Sequence, residues 1–295
     1  MGKSSLPAWL AECCARLILA TRIIDKSYAV VDRARSRLIL ALASDTVLAR
    51  FNDLAYGRDV TYDPGSPEFR YGLFRWEEQI ITSYFPPAPA RVLIGAAGGG
   101  REALALAQKG YEVIAFEPCE QLATAAACRI AKQLNVRIYR TRYEDLPCLF
   151  PTRSDQPATT LEAEPHFEAA ILGWASYSHL RTEAQRIRTL SLFARYVHGP
   201  ILVSFFPSLR EEAFKKEVQT GRVQNMLRKR SRQSDDRFSV YVGFTHKVSA
   251  AELEVTANRS GLKILHFNAG SAVDTRLPHA VLFPIGLPQS RSEAR

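Results

Sequence analysis

Residues 92–119 read VLIGAAGGGREALALAQKGYEVIAFEPC, and this stretch decides the fold. A short apolar run passes into a loop with four glycines in the six residues 95–100, and a helical pattern begins at Arg101. A second apolar run then ends at Glu117. Apolar runs without alternation are typical of strands that are buried on both faces of a sheet. The stretch therefore predicts a strand, a glycine loop, a helix and a second, parallel strand.

The chain downstream continues this alternation, which predicts a parallel sheet with right-handed crossovers. Its last two strand patterns, LKILHFN and HAVLFPI, are joined by a short link and predict an antiparallel hairpin at the sheet edge. The predicted fold is α/β, with a Rossmann-like, seven-stranded, mostly parallel sheet and an antiparallel terminal hairpin. The further strand patterns lie at 136–140, 167–174 and 200–206, and the helical patterns at 121–134, 181–197 and 249–261.

Residues 1–55 show helical periodicity, whereas residues 56–74 are rich in Gly, Pro, Asp and Tyr and predict an ordered loop. A cluster of prolines at 86–89 predicts the boundary of the sheet-forming unit. The predicted organisation is a helical N-terminal cap at 1–90, a core at 91–288 with a charged, lid-like insertion at about 207–237, and a tail at 289–295.

The chain carries a formal net charge of +9, and a basic balance favours anionic partners. Five basic residues fall within the segment 222–232, although most charge runs are simply solvated surface. The five cysteines show no C-x-x-C spacing, which predicts reduced thiols and no metal site. Charges interrupt the apolar N-terminal stretches, so we expect amphipathic helices, no membrane span and a cytoplasmic protein. The sequence does not determine the oligomeric state, and a homodimer is one of the alternatives.

The glycine loop and the acidic residue after the next strand form one binding unit. Glycines let the backbone approach a ligand closely, and the helix that follows offers unpaired N–H groups. Glu117 closes the second strand, where a carboxylate can accept the hydroxyls of a ribose. The unit predicts an adenosine-containing cofactor. The pattern departs from G-x-G-x-x-G at Ala97, which disfavours a dinucleotide.

On these residues the sequence resembles the class I S-adenosylmethionine-dependent methyltransferases, over about residues 91–285. Three residues depart from the family pattern. The family commonly has glycine where this chain has Ala96, an acidic residue where it has Ile94, and aspartate where it has Arg142. The resemblance implies that S-adenosylmethionine binds and that S-adenosylhomocysteine is the product. The cofactor-binding residues it implies are Gly95, Ala96, Ala97, Gly98, Gly100, Glu117, Pro118, Tyr143, Glu144, Gly173 and Trp174.

Methyl transfer requires alignment of an acceptor and, for some acceptors, a base. The base is expected near the carboxyl ends of strands four and five, where His179 and Tyr177 fall. Four further residues are candidate substrate contacts: Tyr56, Arg58, Tyr241 and His246.

The sequence predicts O- or N-methylation of a small molecule or peptide, because the motifs of nucleobase methylation are missing after strand four. Three alternatives stay open. One is an RNA methyltransferase that uses the basic segment 222–232, although nucleic acid is not favoured. The others are a non-catalytic partner protein with a degenerate cofactor site and a nicotinamide-dependent oxidoreductase.

Overall fold

The predicted sheet is present in a computed structural model, which describes residues 8–58, 66–150, 166–208, 235–270 and 277–287. Its strands are β1 (Arg91–Gly95), β2 (Glu112–Phe116), β3 (Val136–Tyr139), β4 (Ala169–Leu172), β5 (Ile201–Ser204), β6 (Asp236–Ser239), β7 (Gly243–His246), β8 (Leu262–Asn268) and β9 (His279–Pro284). Seven of them form one sheet in the order β3-β2-β1-β4-β5-β9-β8. In sheet order, the neighbouring strands from β3 to β5 are all parallel to each other. Strand β9 runs antiparallel to both of its neighbours, β5 and β8. The predicted fold class, with its antiparallel terminal hairpin, is confirmed.

Helices cover both faces of this sheet and extend beyond it at the N-terminus. A 3₁₀ turn, Ser176–His179, follows β4. The α-helices are α1 (Ala8–Leu42), α2 (Asp45–Arg58), α3 (Pro67–Arg70), α4 (Arg75–Tyr84), α5 (Arg101–Gln108), α6 (Glu120–Ile130), α7 (Leu146–Leu149), α8 (Glu183–Tyr196) and α9 (Ala250–Arg259).

Strand β1 lies inside the sheet, between β2 and β4, and its two faces contact two layers of the core. Val92, Leu93 and Ile94 are fully buried. Leu93 packs into one apolar cluster, and Val92 and Ile94 pack into the other. Alternate side chains of a strand point to opposite faces, so a continuous apolar run serves both layers at once.

Three features differ from the sequence prediction. Helix α3 (Pro67–Arg70) lies within the segment 56–74, which was predicted to be a loop. Helix α2 continues to Arg58, so Tyr56 lies on a helix and not in the predicted loop. Its hydroxyl lies 2.6 Å from Nε2 of His179, and local composition does not encode a contact with so distant a residue. The hairpin of β6 and β7 was not predicted, and most of the predicted lid, including the basic segment 222–232, lies outside the described residues. Within the described part, no helix combines the length and apolarity needed to span a bilayer.

A buried ion cluster joins α4 to the start of α5. Arg101 makes a two-pronged contact with Glu77, both distances being 2.7 Å, and a third contact of 2.6 Å with Glu102. Its guanidinium also donates to the Gly72 carbonyl and stacks 4.2 Å from the centre of the Phe74 ring. This cluster anchors the first turn of the helix that follows the glycine loop.

Candidate active site

The glycine loop after β1 turns in left-handed backbone conformations. Ala96, Gly98 and Gly100 have φ angles of 52°, 55° and 84°. A side chain in this region costs about 1 kcal/mol, so Ala96 occupies a position that favours glycine. Gly173, after β4, packs so closely that an added Cβ would lie 2.2 Å from the Ala96 carbonyl oxygen. The loop is therefore held against the end of β4 by direct backbone packing.

Glu117 is fixed by the same loop. Its Oε2 accepts the Gly98 N–H at 2.8 Å, and its Oε1 accepts the Cys119 N–H at 2.9 Å. Burial raises the pKa of this carboxyl to about 7, and the two backbone hydrogen bonds only partly offset that effect. A carboxylate oxygen has two lone pairs, so each oxygen can accept one more donor. Glu117 is thus positioned to bind two hydroxyls of a ligand.

A cavity of about 370 Å³ opens at the carboxyl ends of the parallel strands, within the size range of small-ligand sites. Its floor includes Ala96, Glu117, Tyr143 and Trp174. The adjoining wall of α8 presents Arg188 and other residues of one helical face. The cavity lies at the strand ends, the region in which the sequence predicted a ligand site.

Helix α2 closes the cavity from the N-terminal side. Leu48, Asn52, Asp53 and Tyr56 all line it, and their spacing of one helical turn or less puts them on one face. Asp53 Oδ2 lies 2.5 Å from Nη2 of Arg142, which follows β3. This ion pair fastens α2 to the sheet side of the cavity, beside Glu117.

His179 meets α2 at the other end of the cavity. Its Nδ1 lies 2.7 Å from the Phe244 carbonyl oxygen, and its Nε2 lies 2.6 Å from the Tyr56 hydroxyl. A carbonyl oxygen can only accept, so the ring proton is on Nδ1 and the lone pair of Nε2 faces Tyr56. Burial lowers the pKa of His179, which keeps the imidazole neutral. The arrangement is a proton acceptor with a hydroxyl already donating to it.

The end of the cavity near His179 combines apolar and polar surface. Leu48, Leu180, Leu192 and Phe244 line it. Asn52 also lies here, with its Nδ2 3.4 Å from Nδ1 of His179. Apolar walls with a few polar groups suit an organic ligand.

Comparison with family models and with curated proteins finds no match for this chain. Comparison with solved structures finds several of similar fold. The CcbJ methyltransferase from Streptomyces caelestis aligns at a TM-score of 0.52 with 14% identity, covering 78% of this chain and 98% of that one. The 1,6-didemethyltoxoflavin-N1-methyltransferase of Burkholderia thailandensis aligns at 0.51 with 15% identity, covering 82% and 89%. Magnesium protoporphyrin IX methyltransferase from Synechocystis PCC 6803 aligns at 0.50 with 12% identity, covering 83% and 99%.

The chain has the fold of the class I S-adenosylmethionine-dependent methyltransferases. This confirms the resemblance at the level of the fold. In this methyltransferase fold the structure brings ten of the predicted site residues to one cavity. These are Tyr56, Ala96, Ala97, Gly98, Glu117, Pro118, Tyr143, Glu144, Trp174 and His179. Their roles stay predictions.

Three of the predicted glycines do not line the cavity but lie behind the residues that do. Gly95 ends β1, and an added Cβ there would lie 2.6 Å from Cε1 of Tyr143. Gly100 is the N-cap residue of α5, and Gly173 packs on the Ala96 carbonyl. They shape the loop through backbone conformation and close packing.

Tyr177, a predicted catalytic residue, does not line the cavity. It is fully buried, and its hydroxyl lies 2.9 Å from Oγ1 of Thr256 on α9. Burial raises its pKa to about 12, which disfavours proton release. The 3₁₀ turn directs Tyr177 into the core and His179 into the cavity, although they are two residues apart.

The remaining candidate substrate contacts also lie away from the cavity. Arg58 ends α2 and is exposed, and Tyr241 is exposed at the turn between β6 and β7. His246 lies 2.6 Å from Asp236 and 2.9 Å from Glu252. Burial lowers the pKa of His246, but hydrogen bonds to the two carboxylates outweigh it and raise the pKa to about 9. This histidine is held as a cation in a structural ion pair.

Apart from Tyr56, sequence reasoning missed the lining residues of α2 and α8. Asn52 and Asp53 carry no motif, and Gln185, Arg188 and Thr189 look like an ordinary polar helix face. The available signal was spacing, since polar residues three or four apart share one side of a helix. That signal does not tell a solvated side from one that faces a cavity.

Proposed function

We propose that this protein is an S-adenosylmethionine-dependent methyltransferase that methylates a small organic molecule, with a hydroxyl as the favoured acceptor. The observation that carries the proposal is that one cavity contains both Glu117, beside the glycine loop, and the neutral His179. The first suits the ribose of an adenosine cofactor, and the second suits proton removal from an acceptor.

The residues present fit the proposed cofactor. The spare lone pairs of Glu117 match the two ribose hydroxyls, and Tyr143 and Trp174 supply neighbouring aromatic surface. The Synechocystis structure contains bound S-adenosylmethionine, and the Burkholderia structure contains S-adenosylhomocysteine with its acceptor. The departures at Ile94 and Ala96 leave Glu117 and its two backbone contacts in place.

S-adenosylmethionine, when bound, supplies a methyl group on a positively charged sulfur and needs no further activation. The chain's own residues orient the acceptor and take its proton. An acceptor hydroxyl can donate to the Tyr56 oxygen while Tyr56 donates to Nε2 of His179. The acceptor proton then passes to Tyr56 as the Tyr56 proton passes to His179. The Phe244 carbonyl stabilises the imidazolium that forms, because it accepts the Nδ1 proton.

The walls around His179 define the class of acceptor. Leu48, Leu192 and Phe244 offer apolar surface to a ring or short chain, and Arg188 stands at the rim with an exposed side chain. We infer a compact, partly apolar molecule with a phenolic or alcoholic hydroxyl. A negative substituent on that molecule would be favoured beside Arg188.

The first test is calorimetric titration of the full chain with S-adenosylmethionine, S-adenosylhomocysteine and NAD. Micromolar binding of the first two, lost in Glu117→Ala, is expected. Transfer of label from methyl-labelled cofactor to a panel of phenols, hydroxy acids and amines then identifies the acceptor. Binding of NAD alone would overturn the proposal.

The variants Tyr56→Phe and His179→Gln separate binding from chemistry. Both are expected to keep S-adenosylhomocysteine affinity within about threefold and to lower the transfer rate by roughly 10² or more. Tyr71→Phe is the matched control, because Tyr71 is an exposed tyrosine outside the cavity. Equal transfer rates in Tyr56→Phe, His179→Gln and the control would exclude the proton relay while leaving the cofactor assignment intact.

A further inference from the structure

Helix α1 extends from the body with large apolar side chains in solvent. Every side chain described between Trp9 and Val31 is exposed. Isolated helices gain little stability in water without packing, and contiguous apolar patches of this size mark interaction surfaces. This part of α1 therefore requires a partner, and its side-chain pattern indicates which kind.

Four of the large exposed apolar side chains of α1 follow a seven-residue repeat. Leu17, Ile24, Val31 and Leu38 are 69%, 66%, 65% and 61% exposed and are spaced seven apart. A second set repeats at the same interval between them, and all its members are small and exposed. These are Cys13, Ala20, Ser27, Ala34 and Ala41. The two sets alternate at intervals of three and four residues, which is the seam of a coiled coil.

The seam is separate from the side of α1 that contacts the rest of the protein. Asp32 and Ser36 are buried, and the Ser36 hydroxyl accepts the Phe238 N–H at 2.7 Å. Successive helical residues point about 100° apart, so Val31 of the seam faces away while Asp32 packs on the body. The packing of α1 on β6 leaves the seam open along its length.

We propose that α1 forms an antiparallel coiled coil with α1 of a second copy of this chain. In antiparallel helices a large seam residue faces a small one, so the two sets fill each other's space, as close packing requires. A parallel pair would place large against large and small against small. The antiparallel layers pair Leu17 with Ala34, Ile24 with Ser27, Val31 with Ala20 and Leu38 with Cys13 of the second copy.

The area available is sufficient for a stable dimer. Trp9, Ile23, Tyr28 and Val30 flank the seam and are also more than half exposed. A side chain of this size exposes on the order of 100 Å² of apolar surface. Covering the seam and its flanks in both copies therefore removes on the order of 1,500 Å² from water, the size of a specific interface.

The sizes of the seam residues favour a helix partner over a lipid surface. Arg22, Lys26 and Arg33 lie on the side opposite the seam, outside the contact. A membrane-bound helix has no need of small residues at the centre of its apolar face, nor of a strict seven-residue period. A coiled coil needs the seven-residue period, and small seam residues let the two helix axes approach closely.

Sedimentation velocity of the full chain between 1 and 100 µM tests the proposal. The wild type is expected to sediment at twice the chain mass of 33.0 kDa. The double variant Leu17→Glu, Ile24→Glu is expected to be monomeric. Its matched control is Leu19→Glu, Ile18→Glu, which changes the same residue types at similarly exposed positions off the seam and should stay dimeric.

Cross-linking tests the orientation. In Leu38→Cys, oxidation is expected to join the introduced thiol to Cys13 of the other copy, as peptide mass spectrometry would show. A bond between two introduced thiols would indicate a parallel pair and overturn the antiparallel arrangement. A monomeric wild type at 100 µM, equal behaviour of the two double variants, or a monomer that floats with phosphatidylserine vesicles would overturn the dimer.

Discussion

The hydroxyl oxygen of Tyr56 lies 2.6 Å from Nε2 of His179, although 123 residues separate them in the chain. The contact joins helix α2 to the turn after β4 across the cavity. It also determines the protonation of the ring, because the Phe244 carbonyl holds the only ring proton on Nδ1. A hydroxyl donor, a neutral imidazole and a carbonyl acceptor thus form one line of hydrogen bonds.

The environments of His179, which lines the cavity, and of His246, which does not, predict opposite charge states near neutral pH. Burial lowers the pKa of His179, so its ring should stay neutral, with the proton on Nδ1, as the pH falls from 8 to about 6.5. His246, whose pKa is raised to about 9, should be a cation throughout that range. Long-range ¹H–¹⁵N correlation of the imidazole nitrogens distinguishes these states. A His179 ring that is protonated within this pH range, as His246 is, would contradict the prediction.

Cofactor affinity should depend on pH through Glu117. Its pKa is about 7, so the carboxylate that accepts ribose hydroxyls is present above pH 7 and is lost as the pH falls below it. Binding linked to one proton weakens by up to about tenfold for each pH unit below 7. Titration with S-adenosylhomocysteine at pH 8, 7 and 6 should show this decline. A dissociation constant that stays flat down to pH 6 would show that Glu117 is ionised throughout.

Arg101 should contribute far more to stability than its exposed counterpart. Arg101→Met leaves the Glu77 and Glu102 carboxylates buried without their cation, which typically costs about 3–5 kcal/mol. Lys109 pairs with Glu78 on the same two helices, but both side chains are about half exposed, so Lys109→Met should cost less than about 1 kcal/mol. Urea unfolding of the two variants measures the difference. Similar losses would mean that the buried cluster is not intact in solution.

Glycine substitutions in the loop should have unequal effects. Ala96 has a φ of 52°, a conformation that glycine adopts without strain, so Ala96→Gly should be neutral or stabilising by up to about 1 kcal/mol. Ala97 is buried and has no positive φ, and Ala97→Gly should destabilise by about 1 kcal/mol. Thermal unfolding at a fixed pH compares them. An equal loss in both would indicate that Ala96 is not strained.

Local patterns were sufficient to predict the sheet and the glycine-loop end of the cavity. Residues 91–95 form β1 because a run of buried apolar side chains can pack on both faces of a sheet. Helix α9 begins where Ser249 supplies a cap, and its hydroxyl accepts the Glu252 N–H. Glu117 reaches the glycine loop because consecutive parallel strands end at the same edge.

The sequence by itself thus determined the elements whose signals are local: buried strands, helix caps and the loop between them. Only the tertiary structure decided which of Tyr177 and His179 faces the cavity, and that Asp53 and Tyr56 of α2 close it. Periodicity reports which side of an element is apolar, but a cavity wall is partly polar and resembles a solvated face. Its identity depends on where distant elements dock, which is settled by packing across the whole chain.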